Sequence, residues 1–309
     1  IRNEGGNSGR KTKRPPLSLQ PDPHTGMRTW HLRKGPWLLP SEGAILGILN
    51  TTPDSFSDGG EHAGLEAAVR HAERLAAEGA HIIDIGGEST RPGAEEISAE
   101  TEIARTIPVI EALRRAHPDL LLSIDTRHAG TARQALDAGA DIINDITGLA
   151  SPAMRQLCAE SPCGIILMHM QGEPRTMQQA PQYGDVIAEV RRFFEERIRL
   201  AESTGIDPRR LCLDPGIGFG KTVEHNLTLI RRLAELRVRD LPILMALSRK
   251  SLMSRILGDE AAVKTSPVPT VAMSLLAADR GADLHRVHDV APLHQALRLR
   301  AALLELELA

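Results

Sequence analysis

From Ala44 onward, short apolar runs alternate with longer amphipathic stretches. Runs of strand length fall at 44–49, 81–85, 120–124, 141–144, 164–168, 211–213, 243–247 and 284–287. Between them lie stretches of helical period, such as 65–78, 129–138, 186–204 and 225–236. Several of these end in a glycine (Gly79, Gly139, Gly281), the residue that takes the left-handed turn closing a helix. Ala and one further residue then lead into the next strand. Strand–helix pairs recurring roughly every 30 residues predict a parallel α/β sheet closed as a (β/α)8 TIM barrel. A doubly wound sheet is the alternative, but it calls for a Gly-rich fingerprint after its first strand. Here that strand runs into Leu49-Asn50-Thr51-Thr52-Pro53 instead.

The pattern is absent at the N-terminus. Residues 1–26 are rich in Gly, Arg, Lys and Pro without periodicity, and they include the basic run Arg10-Lys11-Thr12-Lys13-Arg14. The expected organisation is a largely disordered extension over 1–43 and one catalytic barrel domain over 44–309. The 309 residues suit a single barrel, and 41% hydrophobic content is ample for its core. A net charge of −3 gives no global field for nucleic acid, and no apolar run approaches the roughly 20 residues of a membrane span. Neither partner is expected. Three cysteines without metal-ligand spacing argue against a disulfide framework and for a cytoplasmic protein.

Active sites of such barrels gather at the C-terminal ends of the strands. In order, those ends carry Asn50, Asp84 with Glu88, Asp125, Asn144 with Asp145, His169, Asp214, Ser248-Arg249-Lys250, and Arg286 with His288 and Asp289. Asp145 and Asp289 are equally well explained as turn formers. The whole series is not. Asp125, Asn144, Asp214 and Lys250 together suit a flat heterocycle with an amidine-like edge, because a carboxylate accepts two parallel N–H bonds in one plane. Asn50, Arg286, His288 and Arg91 suit a phosphate or diphosphate with Mg²⁺. Two loops, 52–60 and 86–94, mix Gly and Pro with hydroxyl and charged residues and are long for simple connections, as lids are. The Gly-rich stretch from Asp214 to Thr222 is no P-loop, since Pro215 stands where its first Gly would. It reads instead as a turn that presents Asp214 and Phe219 to a pocket.

These stretches carry a family resemblance. Ile48–Gly60, Asp84–Gly93, Asp214–Lys221, Ser248-Arg249-Lys250-Ser251 and Arg286-Val287-His288-Asp289 resemble the signatures of the dihydropteroate synthases, pterin-binding TIM-barrel enzymes, in the same order over roughly 44–305. The resemblance implies condensation of (7,8-dihydropterin-6-yl)methyl diphosphate with 4-aminobenzoate, giving 7,8-dihydropteroate in folate biosynthesis. It implies that Asp125, Asn144, Asp214 and Lys250 hold the pterin with Arg286 stacked on its ring. Asn50, Arg286 and His288 would bind the diphosphate, Asn50 also on Mg²⁺. Thr90, Arg91, Pro92, Phe219 and Ser251 would frame the 4-aminobenzoate site, where sulfonamides would compete. Asp58, Arg91 and Lys250 would act in catalysis, and the enzyme would be a homodimer. Two departures stand out: Ala246, where the family usually has Gly, and Pro269-Thr270, where it often has Gly-Thr. A corrinoid-linked methyltransferase and a non-catalytic paralogue would share the pterin pocket. The first has no diphosphate to bind and the second would be expected to lose such residues, yet Ser248-Arg249-Lys250 and Arg286-Val287-His288 are all retained.

Overall fold

The computed structural model describes residues 28–52, 60–88, 96–173 and 176–307. A hairpin comes first, β1 (Thr29–Leu32) and β2 (Gly35–Leu38). Then follow β3 (Ala44–Asn50), α1 (Gly60–Ala77), β4 (Ile82–Gly86), α2 (Ala99–Ala116), β5 (Leu121–Asp125) and α3 (Ala129–Ala138). The chain continues with β6 (Ile142–Asp145), α4 (Pro152–Glu160), β7 (Gly164–Met168), α5 (Val186–Ser203), β8 (Leu211–Asp214) and α6 (Val223–Arg231). It closes with β9 (Leu244–Met245), α7 (Ser251–Leu257), α8 (Glu260–Thr265), α9 (Val268–Ala278), β10 (Leu284–Val287) and α10 (Val290–Glu307). Strands β3 to β10 form one parallel sheet in the order β8-β7-β6-β5-β4-β3-β10-β9, and a parallel bridge between Leu213 and Ile243 closes it. The (β/α)8 barrel expected from the pattern is the fold.

Alternation along each strand divides the core in two. Ile45, Leu49, Ile83, Ile85, Leu122, Ile124, Ile143, Ile165 and Leu167 pack outward against the helices. Ala44, Leu46, Ile82, Ile142, Ile166, Cys212, Leu244 and Leu284 form a separate cluster that plugs the barrel's lower interior. Two residues further along the same inward face come Asp84, Asn144, Asp214 and Arg286, with Asp125 two beyond Ser123. One register thus gives an apolar floor and a polar mouth.

The helices end as the glycines require. Gly79, Gly139 and Gly281 have φ of +110°, +112° and +97°, and at Gly79 a β-carbon would fall 2.2 Å from His294 Nδ1. The stretch 225–236 is not one helix: α6 ends at Arg231 and a 3₁₀ turn covers Leu233–Leu236.

The expected boundary at residue 43 is corrected. Residues 29–38 are folded onto the bottom of the barrel, where Trp30 is fully buried among the floor residues and donates its indole N–H to the Arg210 carbonyl at 2.8 Å. The hairpin lies so close over β7 that a β-carbon on Gly164 would fall 2.4 Å from Leu32 Cδ2. The floor alone leaves apolar surface facing solvent, and the hairpin covers it. Trp30→Ala should therefore cost about 3–5 kcal/mol of stability, as large core truncations do. Denaturant titration showing a wild-type midpoint would mean that the hairpin is a dispensable appendage.

Candidate active site

At the barrel mouth, Arg286 on β10 reaches across the interior. Its Nε meets Asp84 Oδ2 at 2.5 Å and one terminal nitrogen meets Asp125 Oδ2 at 2.6 Å. Asn144 Nδ2 donates to the same Asp84 oxygen at 3.1 Å. Four strands thus contribute to one polar cluster. The other oxygen of Asp84, Oδ1, is buried without a hydrogen-bond partner. A buried acceptor left open is costly and marks a place where a ligand donor would be gained.

Asp214 ends β8, almost wholly buried, and accepts a backbone bond from Gly216 at 2.7 Å. Lys250 stands at the cap of α7 and places its ammonium 4.4 Å from the centre of the Phe219 ring. Phe219 packs with Ile146, Met168 and Met177, which gives the mouth one apolar wall.

Burial tunes these groups. It raises the Asp125 carboxyl to about 7; Arg286 opposes this and the neighbouring Asp84 adds to it. It raises Asp214 as well, against the Gly216 bond and Lys250. It lowers Lys250 to about 8, although Asp214 pulls the other way. Arg286 goes up: Asp84 and Asp125 outweigh the loss of hydration.

The remaining expected residues are placed as follows. Asn50 ends β3, paired in register with Gly86. His288 follows β10; its Nδ1 lies 2.9 Å from Ser248 Oγ, which also accepts its backbone N–H at 3.1 Å. Ser251 is the exposed first residue of α7. Asp58, Thr90, Arg91 and Pro92 lie outside the described residues. Asp145 is a turn former, accepting from Thr147 and Leu149 backbone N–H groups at 2.8 and 2.9 Å. Glu88 pairs with Arg127 at 3.1 Å and accepts the Ile97 backbone N–H at 3.3 Å. Asp289 pairs with Arg249 at 3.0 Å.

Asp84 has no assigned ligand in the sequence reading, yet it is the centre of the cluster. The signal was present: a charged residue at an inward position of an all-apolar strand, Ile82-Ile83-Asp84-Ile85. Lys221 likewise has no role in the sequence pattern. It is 2% exposed, with Nζ 2.9 Å from the carbonyls of Gly216 and Phe219 and 3.0 Å from His169 Nδ1.

Residues 46–288 match the pterin binding enzyme family. The dihydropteroate synthase of Synechocystis is 49% identical over 260 residues, 84% of this chain and 89% of that protein. The chain belongs to the dihydropteroate synthases. A solved structure of the Xanthomonas albilineans dihydropteroate synthase with 4-aminobenzoic acid superposes with a TM-score of 0.82 at 46% identity, covering 89% of this chain and 98% of that one. The Yersinia pestis dihydropteroate synthase in complex with a sulfonamide drug gives 0.82 at 41% identity, covering 90% and 99%.

The raised Asp125 carboxyl generates a pH prediction. A pterin edge offers N–H donors, which bond more strongly to an ionised carboxylate than to a protonated one. With a free-enzyme value of about 7, Asp125 is mostly protonated in mild acid, so ligand binding must expel a proton there. Pterin affinity should fall, by at most roughly tenfold per pH unit, as pH drops below about 7 and level off above it. Asp125→Asn should flatten that profile. Calorimetric dissociation constants that do not change between about pH 5.5 and 8 would remove Asp125 from the ligand-binding set.

Proposed function

We propose that this chain condenses (7,8-dihydropterin-6-yl)methyl diphosphate with 4-aminobenzoate, giving 7,8-dihydropteroate and diphosphate in the cytoplasm. The observation that carries the reading is the linked polar set of Asp84, Asp125, Asn144 and Arg286, with Asp214 and Lys250 beside it, in the mouth of a family-typical barrel. Its acceptors match the donor-rich edge of a pterin, and the planar guanidinium of Arg286 matches its ring face.

The reaction asks little of a general base. An arylamine is already nucleophilic near neutrality, and a pterin can delocalise positive charge at its methylene carbon as diphosphate leaves. The protein's work is positioning and charge stabilisation. Asp125, Asn144, Asp214 and Lys250 hold the ring. Arg286 and His288 receive the departing diphosphate, and Asp58 and Arg91 of the two loops serve the cation and the leaving group. Thr90, Arg91, Pro92, Phe219 and Ser251 frame the amine, with the Lys250 ammonium over the Phe219 ring.

Asn50, the last residue of β3, carries a neutral amide oxygen, and among the described residues no group of three His, Cys, Asp or Glu is arranged to hold a metal ion. That donor set fits Mg²⁺, which accepts a single protein ligand when waters and a diphosphate complete its shell. When bound, Mg²⁺ supplies neutralisation of the leaving diphosphate.

The test is direct. Incubation with the pterin diphosphate, Mg²⁺ and 4-aminobenzoate should release diphosphate and form dihydropteroate, with a chelator abolishing turnover. Because part of the amine's pocket lies on the 86–94 loop, 4-aminobenzoate should bind weakly to the free enzyme and at least about tenfold tighter with diphosphate and a pterin present. A sulfonamide should compete with it. No product, or equal 4-aminobenzoate affinity under both conditions, overturns the respective part of this reading.

We further infer a homodimer. Leu227 of α6 and Leu276 of α9 are each about two-fifths exposed, and with Val223, Ile230 and Met273 they line an apolar groove on the outer helices. An apolar strip of this kind on a barrel's outer face suits a second copy. Sedimentation velocity should give twice the chain mass; a monomer at micromolar concentration would refute it.

A further inference from the structure

The Gly-rich turn after β8 holds a lysine that the reaction above does not use. Lys221 is 2% exposed, and among the described residues no carboxylate touches its ammonium. It meets four acceptors: the carbonyls of Gly216 and Phe219 at 2.9 Å, His169 Nδ1 at 3.0 Å and the His169 carbonyl at 3.3 Å. Two belong to its own turn and two to the loop after β7.

The two loops are pressed together backbone on backbone. Gly216, Gly218 and Gly220 all have positive φ, and a β-carbon on Gly216 would fall 1.9 Å from the His169 carbonyl, one on Gly220 2.3 Å from that of Gln171. Lines of facing carbonyls repel, and buried carbonyls need donors. An ammonium with three N–H groups is a compact way to supply them. Gln178 and Tyr183 add one bond each, to the Gly218 and Gly220 carbonyls at 2.5 and 2.9 Å. The turn so held carries Asp214 at its start and Phe219 near its end.

We propose that Lys221 is a positioning residue for the second substrate: its ammonium ties the β8–α6 turn to the β7–α5 loop and so fixes the Phe219 ring in the 4-aminobenzoate site. This rests on the reading that Phe219 frames that site.

The charge state of Lys221 matters to this role. A protonated amine offers three donors, whereas a neutral one offers two and a lone pair to which a carbonyl cannot donate. Burial lowers Lys221 to about 7; Asp214 at the end of β8 holds the proton on, and Lys250 at the start of α7 works against it. His169, facing it from the β7 loop, is held neutral by burial and by Lys221 itself, its value pushed to about 2. Tyr183, packed edge-on to His225 beside the turn, is pushed up by burial and stays protonated. As pH rises through about 7, the tie should loosen on the 4-aminobenzoate side of the pocket.

The experiment is steady-state kinetics on the full chain with both substrates varied, from about pH 6 to 9. The wild type should show a KM for 4-aminobenzoate that rises with pH around neutrality. Lys221→Met should raise that KM about tenfold or more at pH 6, leave kcat and the pterin KM within about threefold, and flatten the pH dependence. A lysine that served only general stability would lower the yield of folded enzyme and weaken both substrates alike. Should the Met variant not fold, Lys221→Gln, which keeps two donors without charge, should show the flattened profile with a smaller KM rise. Equal losses for both substrates, an unchanged 4-aminobenzoate KM, or a pH dependence that survives the substitution overturns the proposal. Phe219→Leu separates the two layers of inference. If it raises the 4-aminobenzoate KM while Lys221→Met does not, Lys221 alone is misassigned. If it leaves that KM untouched, the reading of the site fails and this inference with it.

Discussion

The barrel mouth depends on one cation. Asp84, Asp125 and Asp214 bring three carboxylates into an interior whose floor is mostly apolar, and Arg286 is the group that ties two of them together. Burying a carboxylate without a partner costs several kcal/mol, and two facing each other repel besides. The guanidinium solves both problems because its nitrogens diverge: Nε serves β4 and a terminal nitrogen serves β5, across the intervening β3. A lysine there would satisfy one carboxylate well and the other poorly. Even so, compensation is partial. Asp125 remains raised and Asp84 keeps one oxygen without a partner, so the ligand-free pocket is electrostatically unfinished. Donors arriving from a ligand would complete it, which is how a buried polar site converts desolvation already suffered on folding into affinity.

The same period-2 rule explains how much of this was legible in the sequence. Eight apolar runs at regular spacing are a strong signal, and the strands and helix-ending glycines fall where it puts them. The polar strand ends were equally visible, because a barrel turns sequence position into height along its axis. What was not visible is which polar residue faces which. Asp145 and Asn144 are neighbours in sequence, but alternation points Asn144 into the barrel and leaves Asp145 to fold the turn after β6. The hairpin was missed for a different reason. Its two strands have four residues each, joined by the two-residue turn Arg33-Lys34 with Gly35-Pro36 opening the second, and they follow directly on a Gly-, Pro- and Lys/Arg-rich stretch. The signal that was there is Trp30 and Leu32 in alternation, too short to stand out until a partner surface exists. The split of 225–236 had no local signal either, since every residue in it tolerates a helix.

The two departures from the family pattern fare differently once located. Pro269 lies in the first turn of α9, where its missing N–H would have had no intrahelical partner in any case, so the helix forms unimpaired. Thr270 beside it is buried and accepts the Arg249 backbone N–H at 3.2 Å, which links α9 to the active-site rim. Ala246 is different. It follows β9 on the inward phase set by Leu244 and is 8% exposed, so its methyl adds to the packed wall near Ser248.

That rim is built around a backbone conformation which most side chains avoid. Arg249 has φ of +54°, and a left-handed non-glycine residue costs on the order of 1 kcal/mol or more. Three contacts hold it: the bond to Thr270, the pair with Asp289, and the flanking Ser248, whose hydroxyl lies against His288. The turn it makes is what sends Ser248 toward the expected diphosphate side and Lys250 toward Phe219, although the three residues are consecutive. A right-handed residue at 249 would continue the chain without that reversal and separate Lys250 from the ring it overlies. The Ser-Arg-Lys run is therefore one geometric unit: its arginine supplies the bend, with Ser248 against His288 on one side and Lys250 over the Phe219 ring on the other.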